Sequence, residues 1–141
     1  MIQFKQKEYS DSDRNLFLGF INKLEGYKTR IKNLHWAAPK KNIHVYLDEF
    51  LVIVSDFQDS LAETYMGILG KMQPDAVHGI PAEGNDALTM INHLIDETEG
   101  FYEEIPDDTG YKGISSETET FIKDLQKYKY LFSLCDTEEG N

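Results

Sequence analysis

The sequence predicts an all-α fold, a four-helix bundle built from a single domain. Three observations carry that expectation. Apolar residues recur at three- and four-residue steps through four separate blocks, the spacing of amphipathic helices. Only four prolines occur, at 39, 74, 81 and 106, and each sits in a polar or glycine-containing stretch between blocks. A chain of 141 residues with 40% hydrophobic content is long enough to bury one core and short enough to need no second.

Helices are expected at about 12–36, 42–70, 85–105 and 116–135. In the first, Leu16, Phe17, Phe20, Ile21, Leu24, Tyr27, Ile31 and Leu34 form the apolar stripe. Ser10 or Ser12 can cap it, and Asp11 and Asp13 complement the positive helix end. A short connection through Pro39 leads to the second block, where Ile43, Tyr46, Leu47, Phe50, Leu51, Val54, Phe57, Leu61 and Ile68 keep the helical period. Phe50 to Val54 alone could pass for a buried strand, but the flanking periodicity favours helix. Residues 71–84 hold two prolines and two glycines and read as a loop. The third block carries Leu88, Ile91, Leu94, Ile95, Phe101 and Tyr102, with Asn85 as its expected cap. The fourth opens on Ser116-Glu117-Thr118-Glu119, a capping-box pattern. Phe121, Ile122, Leu125, Tyr128, Leu131, Phe132 and Cys135 mark its buried stripe, and residues 136–141 read as a fraying tail.

Composition narrows the function. Fourteen Lys and Arg against 25 Asp and Glu give a net charge of −11. That argues against a nucleic-acid partner gripped by the whole surface and against a polybasic membrane binder. No apolar run approaches the roughly 20 residues that span a bilayer, so no membrane association is expected. Met1 to Tyr9 is polar and mixed in charge, unlike a signal peptide. Cys135 is the only cysteine, which excludes an internal disulfide and fits a reducing, cytoplasmic setting.

Five residues carry chemistry. His44 and Asp48 are four apart, as are Asp59 and Glu63, and that spacing stacks side chains on one helix face. At about 100° per residue, all four fall within one stripe. His35, near the end of the first helix, can join the His44/Asp48 half. Two imidazoles and three carboxylates suit iron(II), and would also accept zinc or manganese. His44 and Asp59 are fifteen residues apart, about 22 Å along a helix, so one chain cannot bring them to one ion. Two such helices packed antiparallel about a two-fold axis could, and two equivalent sites would follow. The plainer explanation is a solvated acidic face with a histidine that caps or packs at a helix end.

His35-Trp36, His44-x3-Asp48 and Asp59-x3-Glu63 together resemble the Dps miniferritins of the ferritin-like superfamily. The strong resemblance covers residues 30–70 and includes the interval from Asp48 to Asp59. It implies a ferritin-like four-helix bundle. His35, His44 and Asp48 would be ligands from one subunit, Asp59 and Glu63 would come from its two-fold mate, and Trp36 would lie beside the site. These five would be both the metal-binding and the catalytic residues of a ferroxidase that oxidises Fe(II) with peroxide or oxygen, for iron storage and protection against oxidative stress. It also implies a homo-oligomer built from two-fold dimers, as in the family's dodecameric shell, with Glu103, Glu104, Asp107 and Asp108 near acidic pores. Lys5 and Lys7 are the only basic residues of the N-terminal segment, which lacks a lysine-rich DNA-binding arm.

Two further readings compete. A non-enzymatic ferritin-like assembly protein would keep the bundle and carry a degenerate metal site. A plain dimeric bundle would bind a partner through its acidic face. Elsewhere His93 and Glu97 read as a surface pair, His78 as exposed and Cys135 as buried and inert.

Overall fold

The computed structural model describes residues 9–137. Of the expected tail, Asp136 and Thr137 instead continue the last helix; the rest of it and the N-terminal segment with Lys5 and Lys7 lie outside the described residues. Four helices form: α1 (Asp11–Trp36), α2 (Lys41–Leu69), α3 (Ala87–Glu104) and α4 (Lys112–Thr137). A short 3-10 helix, Thr109–Tyr111, precedes α4. The described residues contain no strand, and Phe50 to Val54 is helical.

The helix starts follow local chemistry. The Ser10 hydroxyl accepts from the Asp13 N–H at 3.1 Å, with Asp11 and Asp13 in the first turn of α1. At α3 the cap is Asp86 rather than Asn85: its carboxylate accepts from the Thr89 N–H at 2.8 Å. The fourth helix begins four residues before the expected capping box, so Ser116 lies inside it. The reason is Tyr111. Its ring is buried against Phe17, at 4.9 Å between centroids, and its hydroxyl donates to Asp13 at 2.8 Å. Ile114 is buried too. The apolar stripe therefore starts earlier than the caps suggested.

The chain runs up, down, down and up. The α1–α2 connection is a tight turn, and Arg14 near the start of α1 donates to the Leu69 carbonyl at the end of α2. Residues 70–86 then cross back along α1, from Asn22, which receives Ala76 to Ile80, to Arg30, whose Nε donates to the Ala82 carbonyl. This return makes α3 antiparallel to α1, and Phe101 stacks on Phe20 at 4.2 Å. One long crossover of this sort is an established way to connect a four-helix bundle. Stacked Phe57 and Phe121, at 4.0 Å, join α2 to α4. The core is one continuous cluster fed by all four helices.

Two glycines permit the crossover. Gly70 ends α2 at φ +99°, where side chains other than glycine are strained. Gly26 lets the crossover lie directly on α1, since a Cβ there would stand 1.6 Å from the Ile80 carbonyl oxygen.

Candidate metal-binding site on the second helix

Four residues separate α1 from α2, and two imidazoles close the turn. His35 Nδ1 donates to the His44 carbonyl at 2.7 Å, and His44 Nδ1 donates to the His35 carbonyl at 2.7 Å. The rings stack at 3.7 Å, 19° from parallel. A carbonyl oxygen can only accept, so each Nδ1 carries a proton. In the neutral form each Nε2 then keeps its lone pair, the state in which imidazole binds metals. His35 is half-buried and His44 exposed.

Asp48 lies one turn further along α2 and is exposed. Asp59 and Glu63 are exposed too, three and four turns beyond. Asp59 holds the Glu63 carboxyl above its ordinary value, first through a side-chain hydrogen bond and then through its like charge. Two carboxylates held this close repel each other, a repulsion that a bound cation would relieve.

The structure thus brings together His35 with His44, and Asp59 with Glu63. It leaves the two pairs at opposite ends of α2. Among the described residues, no three His, Cys, Asp or Glu side chains of one chain are placed to hold a metal ion. Trp36, next to His35, is 71% exposed, so its ring faces outward rather than into the core. Val45 and Val52 are also exposed, at 44% and 57%. By helical angle both fall in the stripe that carries Asp48, Asp59 and Glu63. The two valines were legible in the sequence as apolar positions off the buried stripe. The reciprocal histidine bonds were not, because they depend on how the turn folds back.

The spacing has an internal symmetry. His44 and Glu63 are equally far in sequence from the midpoint between Ile53 and Val54, and so are Asp48 and Asp59. An antiparallel copy of α2 centred there would set His44 opposite that copy's residue 63 and Asp48 opposite its residue 59, with Val52 beside the axis.

The other candidates are more ordinary. His93 and Glu97 line a cleft of about 300 Å3 with Lys23, Tyr27 and the crossover. Burial, then the charge of Glu97, pushes the Tyr27 hydroxyl above its ordinary value. His78 is exposed and Cys135 buried. In the acidic cluster, Asp107 pairs with Lys112 at 3.2 Å and Asp108 accepts from the Gly110 N–H at 2.7 Å; Glu103 and Glu104 are exposed. No helix among the described residues is long and apolar enough to cross a membrane. Comparison with family models, with curated proteins and with solved structures finds no match to this chain.

Proposed function

We propose that two copies of this chain pair through α2 and oxidise Fe(II) between them, in the manner of a ferritin-like miniferritin. The observation that carries the reading is the equal spacing of two half-sites about the middle of one exposed helix stripe. It suits a two-fold pair, in which each copy supplies what the other lacks. The histidine lock supports it by leaving both Nε2 lone pairs for a ligand. The raised Glu63 supports it as well, since a cation relieves the repulsion between the two carboxylates.

In this reading Fe(II) is the substrate. Asp48 and the partner's Asp59 and Glu63 bind it and favour the higher charge of Fe(III), while His35 and His44 complete the shell. Two Fe(II) give up one electron each. Hydrogen peroxide takes both, with two protons, to become water; oxygen is the other oxidant to test. Trp36, next to His35 and exposed, would meet oxidising equivalents that escape. Storage of ferric iron in a larger shell and a protective role in the cytoplasm go with this proposal. Zinc and manganese are the competing ions.

The reciprocal histidine bonds also favour a second reading. The imidazoles would then be a clasp for the turn, in a ferritin-like assembly protein without turnover.

The discriminating experiment loads metal-free protein with Fe(II) under anaerobic conditions, adds peroxide or oxygen, and follows ferric absorbance. The expected result is oxidation well above the buffer rate, with about two sites per dimer, abolished in Asp48→Ala with helicity unchanged. An Asp48→Ala rate equal to that of the unaltered protein overturns the ferroxidase and leaves the clasp.

A further inference from the structure

The chain is strongly acidic, yet α4 carries a line of exposed basic residues. Lys123, Lys127 and Tyr130 follow one another along α4 at steps of four and three, and all are exposed. Tyr130 is 62% exposed. The acids of α4 do not offset this line. Glu117 and Asp124 border the groove toward α2, where Glu117 accepts from Ser60 at 2.8 Å. Glu119 accepts from Tyr102 of α3. The neighbouring helix carries the opposite charge: Asp96 and Glu99 are exposed on α3. Among the described residues no ion pair engages Lys123, Lys127, Asp96 or Glu99.

We propose that this α3–α4 face binds a second copy of the chain about a two-fold axis parallel to the helices, a contact separate from the α2 pairing. The charge pattern selects the axis. Rotation about an axis parallel to the helices swaps α3 and α4, so each α4 meets the partner's α3 and lysine meets carboxylate. Rotation about an in-plane axis across the helices would set α4 on α4 and lysine on lysine. The parallel axis also leaves no freedom to slide, because such a rotation keeps every residue at its own height. The Tyr102–Glu119 contact sets those heights. Counting along the antiparallel helices puts Lys123 level with Thr98, one residue from Glu99, and Lys127 level with Leu94, two residues from Asp96. Lys123 therefore faces the partner's Glu99, and Lys127 the partner's Asp96. Tyr130 adds the large, amphipathic side chain that exposed ion pairs lack.

The test uses sedimentation velocity on the full chain carrying Val52→Asp, which removes the α2 pairing from the measurement. The expected result is a dimer at about 0.05 M salt that dissociates by about 0.5 M. Lys123→Glu with Lys127→Glu raises the dissociation constant at least about tenfold. Adding Asp96→Lys and Glu99→Lys to that variant restores association, which mere loss of surface lysines would not allow. A Val52→Asp chain that stays monomeric at low salt overturns the proposal. So does a double variant that associates unchanged. A third overturning result is lysine-dependent binding of a labelled single-stranded oligonucleotide without self-association. None of these outcomes depends on iron oxidation, so this proposal and the ferroxidase can fail separately.

Discussion

Two connections of the bundle are held by the same kind of bond and spend it differently. The long crossover is clasped by Asn22, which is buried. Its Nδ2 donates to the Leu18 carbonyl at 3.0 Å and to the Ala76 carbonyl at 3.1 Å. Its Oδ1 accepts from the His78 N–H at 2.9 Å and the Gly79 N–H at 3.1 Å. Every donor and acceptor of that amide is used. The short α1–α2 turn is clasped by His35 and His44, each of which spends one ring nitrogen and keeps the other. A clasp with its valences filled can only hold the fold. A half-used clasp at the surface can hold the fold and bind something else.

Mutations can break that contrast. The strongest effect is expected at Gly26→Ala. Its Cβ would meet the Ile80 carbonyl, backbone that cannot turn aside, so the crossover must lift; a loss of about 3 kcal/mol in urea unfolding is expected. A loss below about 1 kcal/mol would show that the crossover shifts freely and that Asn22 clasps little. Asn22→Ala comes next. It strands the N–H groups of His78 and Gly79, for about 2 kcal/mol. His35→Ala should cost less, about 1 kcal/mol, because water replaces what it loses. Its iron oxidation rate should nevertheless fall at least about tenfold. A His35→Ala protein that loses stability like Asn22→Ala and keeps its oxidation rate would move the histidines into the purely structural class.

The smallest effect concerns the polar link beside these clasps. Gln58 donates to the Ile21 carbonyl at 3.2 Å and to Glu25 at 3.0 Å, and accepts from Lys28 at 3.0 Å. The Gln58 bond, with Lys28 and Lys32 acting against burial, holds the Glu25 carboxyl below its ordinary value. The folded chain therefore releases this proton more readily than the unfolded chain. The stabilisation is present above the ordinary carboxylate range and drains as pH falls through the lowered value. Glu25→Gln should flatten the acid limb of the stability curve slightly, measured by urea unfolding between about pH 3 and 6.

Helical periodicity was enough to place four helices and most of the core, because the positions of one helix face are set by local geometry. It also put His44, Asp48, Asp59 and Glu63 on one stripe, for the same reason. Helix starts were less legible. Ser10 capped as expected, but Asp86 displaced Asn85, and Tyr111 drew α4 four residues earlier by finding Phe17 and Asp13 across the bundle. Nothing near Asn22 in sequence announces its role, since the backbone it holds is 54 to 57 residues away. The histidine lock is similar. Spacing puts His35 and His44 nine residues apart, on two helices, and only the turn between them brings each ring to the other's carbonyl. Local geometry sets which residues share a face. What each face meets depends on how the connections fold, and those are bonds between residues far apart in the chain.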